Sequence, residues 1–402
     1  MESHTGSPEV RPFRIEVPQA DLDDLRDRLA RTRWPDQLPG TDWEYGIPLE
    51  YVKELAGYWR TGYDWRVHER RLNEFGGFIT KIDGQDIHFL HVRSARPDAL
   101  PLIITHDWPG SIVEFMNVIG PLTDPGAHGG DPADAFHLVV PSIPGYGFSG
   151  PTHDRGWDVR RVARAWAELM RRLGYDRYGA QGGDWGSPIS RELGVTAPRQ
   201  VVGVHLNMLS TRVPDDPGEL TEEETRRLQS RQRFRTEGSG YSAIQSTRPQ
   251  TLAYGLTDSP AAQLAWITEK FGEWTDGGQP DEAVDRDQLL TNVTLYWLTG
   301  TAGSSARLYY ETARARSWNP SATSTVPTGV AVFPREIVPP VRRFAELSDH
   351  IVHWTEFDRG GHFAAMEVPD LLVGDVREFF RPIRRGRPGR GPGRGAVPGL
   401  AL

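Results

Sequence analysis

The chain has 402 residues, no cysteine and a net charge of −8. These values exclude a disulfide framework, a thiolate metal site and a cysteine nucleophile, and they argue against nucleic acid or an anionic membrane as the main partner. Hydrophobic residues make up 38% of the chain, with 13 Trp, 12 Tyr and 15 Phe, ample for a packed core in one large domain with insertions or in two. Only Lys53, Lys81 and Lys270 of the 46 basic residues are lysines, a bias that fits coding from a GC-rich genome. No N-terminal apolar segment has the character of a signal peptide or a membrane span, so a soluble, cytoplasmic protein is expected.

Residues 1–10 are polar. From Phe13 to about Glu74, helical patterns are interrupted by aromatic-Pro loops. Asp21–Arg31 places Leu22, Leu25 and Leu29 on one face, and Leu49–Tyr63 does the same with Val52, Leu55, Tyr58 and Trp59. Helices this few cannot bury their own stripes, so Trp34, Trp43 and Trp65 read as anchors laid over another surface. Phe78–Ile82 and Ile87–Val92 then alternate apolar and polar around Asp83-Gly84, a hairpin signal. Short apolar strands follow at Leu102–Thr105, Phe136–Val140 and Val201–Leu206, separated by helices of which Asp158–Leu173 is the clearest. That alternation implies an α/β fold with a mostly parallel sheet covered on both faces.

The pattern changes at 211. Residues 211–325 are helical and polar with no convincing strand, and read as an inserted helical cap. Strands return at Gly329–Phe333 and Ile351–Phe357, and Val368–Phe380 closes the fold as a helix. The expected division is a wrapping segment 1–74, a core 75–210, the cap 211–325, the rest of the core 326–382 and a disordered Arg/Gly/Pro tail 383–402.

The chemistry concentrates around Gly182-Gly183-Asp184-Trp185-Gly186, which follows a short strand and opens a helix. This is the pattern of a nucleophile elbow, with aspartate where a serine hydrolase carries serine. The bland reading is a glycine-rich loop whose Asp caps a helix. A carboxylate nucleophile needs a base that later activates water, and the base needs an orienting acid. In chain order, Glu336 follows the strand Gly329–Phe333 and His362 follows Ile351–Phe357, both at carboxyl ends of strands, where open α/β sheets place their sites. His106-Asp107-Trp108-Pro109-Gly110-Ser111 follows Leu102–Thr105 at the position that supplies the second oxyanion amide. The donors would be the backbone N–H groups of Trp108 and Trp185. Two other motifs carry no such weight. Gly145–Gly150 spells G-x-G-x-x-G, but no helix opens directly after it to receive a pyrophosphate, and His88 and His91 lie on opposite faces of a strand.

Taken together, His-x-Trp-Pro-Gly-Ser, Gly-Gly-Asp-Trp-Gly, Phe-Pro-x-Glu and Gly-Gly-His-Phe resemble the epoxide hydrolases of the microsomal and juvenile-hormone type, and the likeness runs from about residue 10 to 382. The resemblance implies an α/β-hydrolase fold with a helical cap and an N-terminal wrapping segment. It implies Asp184 as nucleophile, Glu336 as charge-relay acid and His362 as base. It also implies two cap tyrosines that hold the epoxide oxygen, Tyr241 and Tyr309, with adjacent Tyr310 as the other register. His106, Asp107 and Tyr310 are counted as substrate-facing. The substrates implied are an epoxide and water, with no cofactor and no metal; the cap aromatics Trp266, Phe271, Trp274, Tyr296 and Trp297 suggest a bulky apolar or aryl epoxide. Detoxification and natural-product synthesis are the settings expected, and a homodimer is left open. Haloalkane dehalogenase, or a non-catalytic relative that binds an apolar ligand, are the alternatives. Asp107 departs from the family pattern, which has glycine there, and brings a side chain and a negative charge toward the oxyanion site.

Overall fold

A computed structural model describes residues 9–384; the N-terminal residues before them and the tail from 385 onward lie outside the described residues. The centre is a nine-stranded sheet built of β1 (Arg11–Phe13), β2 (Gly77–Ile82), β3 (Gln85–Val92), β4 (Leu100–Thr105), β5 (Phe136–Pro141), β6 (Tyr178–Gly182), β7 (Val201–Leu206), β8 (Ser324–Val332) and β9 (Asp349–Glu356). Its order is β1-β2-β3-β5-β4-β6-β7-β8-β9. The first strands run antiparallel, and everything from β5 to β9 is parallel. Leu102, Ile103 and Ile104 on β4 are almost wholly buried, as a strand covered on both faces requires. The hairpin forms where Asp83-Gly84 predicts it, with Asp83 at φ 50°, the positive value a primed turn demands. Strand β1 escapes sequence reading because three residues are too few to show alternation.

Between β7 and β8 the chain is helical: Glu222–Arg233, a wide π turn at Phe234–Gly238, then Gly240–Thr247, Pro249–Asp258, Pro260–Trp274, Arg286–Thr299 and Ala302–Ala315. The insertion is two residues shorter than the sequence suggests, because Ser324 and Thr325 already belong to β8. The closing helix is longer than expected and spans Pro369–Arg384. Its last turn is held by Asp134, whose carboxylate accepts from Arg381 Nε at 3.1 Å, while the Arg384 guanidinium lies 3.9 Å over the Phe136 ring.

The N-terminal segment clamps the cap through hydroxyls and an indole. Trp59 Nε1 donates to Thr294 Oγ1 at 2.8 Å, Tyr58 OH donates to Asp287 at 2.8 Å and Tyr51 OH donates to Asp281 at 3.0 Å. Tyr63 OH shares a 3.0 Å bond with Thr291. Three of these grip the single helix Arg286–Thr299. Among the tryptophans singled out in the sequence, Trp65 is buried, Trp43 lies against Gly272 and Trp34 remains exposed. Aromatics with a polar tip do the anchoring, because the surface they meet carries buried threonines. Trp59→Phe removes this bond from the buried Thr294 hydroxyl and shortens the buried side chain. Equilibrium denaturation should show a loss of about 1–3 kcal/mol, with the midpoint lowered and the m-value unchanged.

Candidate active site

Strand β6 ends at Gly182 and the helix Gly186–Thr196 begins four residues later, so the chain reverses within one turn. A Cβ on Gly182 would lie 2.3 Å from the Gly186 backbone, and one on Gly186 would lie 2.1 Å from the Thr105 carbonyl of β4. Neither site has room for a side chain. The residue between them pays in backbone strain: Asp184 sits at φ 33°, a region non-glycine residues rarely occupy.

Asp184 is almost buried and its two oxygens have different neighbours. Oδ2 accepts the Trp108 amide at 2.9 Å, and the Trp185 amide also favours the charged form. Oδ1 lies 3.8 Å from His362 Nε2. His362 Nδ1 donates to Glu336 Oε1 at 2.8 Å, and the same oxygen accepts the Ile337 amide at 2.8 Å. The backbone N–H of His362 donates to the Trp274 carbonyl at 2.9 Å, which fixes the β9 loop under the cap. Segments following β4, β6, β8 and β9 thus meet at the carboxyl edge of the sheet.

Burial works against a charged imidazole, but Glu336 and then Asp184 outweigh it and hold His362 up at about 10. Burial also pushes Asp184 up, opposed by His362 and by the amides of Trp108 and Trp185. With two amides directed at Asp184 and the carboxylates of Glu336 and Asp184 on either side of the ring, the pair's proton rests on His362.

Tyr241 and Tyr309 descend from the cap onto this edge. The Tyr241 ring stacks on Trp108 at 4.9 Å with an interplanar angle of 2°, and Tyr309 stands edge-on to Trp185 at 4.6 Å. Burial and the charge of Asp184 push the Tyr241 phenol well above its usual value; burial, Tyr241 and Asp184 do the same to Tyr309. Tyr309 OH and His362 Nε2 are buried with no hydrogen-bond partner among the described residues, an arrangement that marks where ligand atoms belong.

Known proteins resemble this chain over most of its length. Residues 10–115 match the family model described as epoxide hydrolase N terminus, and residues 101–238 match that of the alpha/beta hydrolase fold. The chain is 48% identical over 380 residues to a putative epoxide hydrolase of Stigmatella aurantiaca, covering 93% of this chain and 86% of that one. It is 37% identical to epoxide hydrolase 1 of Sus scrofa, covering 92% and 88%. The chain belongs to the epoxide hydrolase family. The Aspergillus niger epoxide hydrolase superposes with a TM-score of 0.84 at 34% identity, covering 94% of this chain and 97% of that one. Juvenile hormone epoxide hydrolase of Bombyx mori superposes at 0.88 with 30% identity, covering 95% and 96%. Membership over nearly the whole chain decides against the dehalogenase and the non-catalytic alternative.

In this epoxide hydrolase several candidate residues take roles the sequence did not suggest. Tyr310 is half-buried beneath the Arg314 guanidinium, 5.0 Å away, while Tyr309 alone faces Trp185. His106 is not free for substrate: Nδ1 donates to the Asp107 carbonyl at 2.9 Å and Nε2 accepts the Ile143 amide at 3.0 Å. Burial lowers it to about 4, so it stays neutral and braces the loop. The surroundings of Asp107 work against its charged form. Its Oδ1 packs against Gly183, where a Cβ would lie 2.9 Å from it, and burial followed by the charge of Glu114 pushes its carboxyl well above the usual range. Of the cap aromatics, Trp274 faces His362 at 4.9 Å and Phe271 stacks on Phe363 at 4.1 Å, whereas Trp266 binds Gln245 and Trp297 lies under Arg28. Gly145–Gly150 braces the cap, with Gly147 N donating to Thr301 Oγ1 at 3.1 Å. Among the described residues no group of three or more His, Asp or Glu is placed to hold a metal ion.

Sequence reasoning missed the residues that hold the Trp108 loop. Asn292 Nδ2 donates to the Pro109 carbonyl and its Oδ1 accepts from Ser111 Oγ, both at 2.7 Å. Tyr296 OH donates to the Gly110 carbonyl at 2.7 Å, and Gln288 Nε2 donates to the Val113 carbonyl at 3.0 Å. The signal was present: positions 288, 292 and 296 recur every four residues on one helix face. Asn292→Leu strands the Pro109 carbonyl and the Ser111 hydroxyl. It should cost about 2–4 kcal/mol in thermal unfolding and slow epoxide opening by about tenfold or more through displacement of the Trp108 amide.

Proposed function

We propose that this epoxide hydrolase forms a covalent ester on Asp184 and then hydrolyses it. The Asp184 carboxylate attacks an epoxide carbon from the side opposite the ring oxygen; the C–O bond breaks, and the oxygen takes a proton from Tyr241 or Tyr309. Raised phenol values suit that role, since such a group keeps its proton until it meets a base as strong as an alkoxide. Esterification removes the charge of Asp184 and with it part of what holds the proton on His362. The ring then gives up that proton, which restores the phenol. Neutral His362, oriented by Glu336, deprotonates water as it adds to the ester carbonyl. The amides of Trp108 and Trp185 hold the resulting oxyanion, each worth roughly 3 kcal/mol. Collapse expels the alkoxide, which takes the remaining proton of the added water to give the vicinal diol, and leaves the Asp184 carboxylate beside protonated His362.

The observation that carries this reading is the 3.8 Å gap between Asp184 Oδ1 and an otherwise unpartnered His362 Nε2. It is too long for a hydrogen bond, and a base at that distance suits a water that attacks the Asp184 carboxyl carbon. The rings of Trp108, Trp185 and Trp274 support an apolar or aryl epoxide as substrate.

In a single turnover of styrene oxide in heavy-oxygen water, label should enter Asp184 and none should enter the diol. His362→Gln should accumulate an adduct of substrate mass on the protein. Label in the diol of the first turnover, with no adduct in the variant, would show direct attack by water.

The proposal also fixes a sign for His362. In Asp184→Asn one of the carboxylates that raise the ring is gone, so its titration midpoint, followed by NMR, should fall below about 10. Decay of the ester should accelerate with rising pH, because the neutral ring is the active form.

A further inference from the structure

Outside the catalytic centre, the cavity whose charges are least accounted for lies between the π turn and the segment following the last cap helix. It has a volume of about 430 Å³ and is lined by Arg212, Val213, Leu228, Arg231, Arg235 and Asn319, with no acidic side chain on its wall. Arginines elsewhere on the same helix are matched: Arg226 pairs with Glu223, and Arg227 lies 2.7 Å from Glu223 and 2.8 Å from Glu356. One turn further on, the matching stops. Arg231 donates to the Thr211 carbonyl and forms no ion pair among the described residues, and the Arg235 guanidinium has no protein partner there. Arg212 pairs only with exposed Asp215, at 3.4 Å. Burial, and then the charge of Arg235, lower Arg231, and no carboxylate offsets either effect. In a chain of net charge −8, such an uncompensated cluster is a local exception that favours an anion.

Position ties this cavity to the reaction. Arg235 follows Phe234, whose ring stands 6.4 Å from Trp274, and Trp274 is 4.9 Å from His362. Asn319 follows Trp318, which stacks at 4.7 Å on Trp185, the residue after Asp184. On both walls one residue touches the aromatic lining of the catalytic centre and its neighbour in sequence lines the cavity. The π turn between Arg233 and Ser239 widens the helix at this point, a device common at functional sites. Val213 and Leu228 supply an apolar wall beside the guanidinium groups.

We infer that this cavity is a carboxylate-binding subsite at the outer end of the active site, so that the preferred substrate is an epoxide carrying a carboxylate several carbons from its ring. The inference rests on the epoxide-opening reaction proposed above and narrows its substrate class. The apolar body would lie along Trp318, Trp185 and Trp274, with the reactive carbon at Asp184 and the carboxylate at Arg231 and Arg235.

The test compares a long-chain epoxide ending in a free carboxylate with its methyl ester, using styrene oxide as a reference. Wild-type enzyme should favour the acid by about tenfold or more in kcat/KM, carried by KM, as a charge-assisted contact predicts. Arg235→Gln should lower that preference several-fold. The Arg235 guanidinium makes no hydrogen bond or ion pair among the described residues, so this variant reports on the cavity even if substitution of Arg231, which holds a backbone carbonyl, disturbs folding. Arg231→Gln with Arg235→Gln should bring the ratio near one, and Arg235→Glu should favour the ester. A wild-type ratio near one, or a preference that survives the double substitution, overturns the subsite and leaves epoxide hydrolysis standing. An acid that stimulates ester turnover without being opened itself would make the cavity an effector site and overturn the substrate assignment. Failure to open styrene oxide as well as both long-chain substrates would instead overturn the reaction on which the inference rests.

Discussion

The hydrogen bond from the Trp108 amide to Asp184 Oδ2, 2.9 Å long, joins parts of the chain that sequence keeps far apart. One end depends on the elbow, where glycines without room for a Cβ force Asp184 into a positive φ. The other end depends on a loop with little regular structure of its own, whose carbonyls are carried by Gln288, Asn292 and Tyr296 of a cap helix. That helix is gripped from its other side by Tyr58, Trp59 and Tyr63 of the N-terminal segment. The wrapping segment therefore reaches the catalytic edge through the cap helix. A loop cannot hold an amide to a fraction of an ångström by itself, and the buried polar bonds on both faces of one helix supply the rigidity.

Electrostatics follows from the same packing. Asp184, Glu336 and Asp107 crowd one buried imidazole, with Glu114 beside Asp107, and ionising all four in so small a volume is unfavourable. The surroundings sort them. Asp184 has backbone amides and His362 to favour its charge, and Glu336 accepts from His362 and from the Ile337 amide. Asp107 and Glu114 have no such set of partners, and burial pushes both carboxyl groups well above the usual range. Burial and the neighbouring Glu114 thus disfavour a charge on Asp107 beside Asp184. The Asp107 carboxyl fills space against Gly183, a residue that could not carry a side chain of its own.

Much of the fold is written in the chain at short range. The apolar runs of β4, β5 and β7, the Asp83-Gly84 turn and the amphipathic helix Val159–Arg172 each depend on neighbours within a few residues, and their positions follow from period and turn chemistry. The same holds for the elbow, and for the order Asp184, Glu336, His362 at the ends of strands, because parallel topology brings those ends to one edge. Where the local signal is short or symmetric, the sequence is silent. Three residues of β1 show no alternation. The helix Arg286–Thr299 is buried all round, so it has no apolar face to find.

What the sequence by itself determined, then, is the family, the sheet and the identity of the groups that can do chemistry, since these rest on residue type and local spacing. Only the tertiary structure decided which of those groups are available. Tyr309 and Tyr310 are neighbours in sequence and point some 100° apart on a helix, so packing alone assigns one to the site and the other to Arg314. His106 is spent on two backbone groups that come from different loops. Asp107 has the charge its burial allows, and burial is a property of the assembled molecule, set by residues far along the chain.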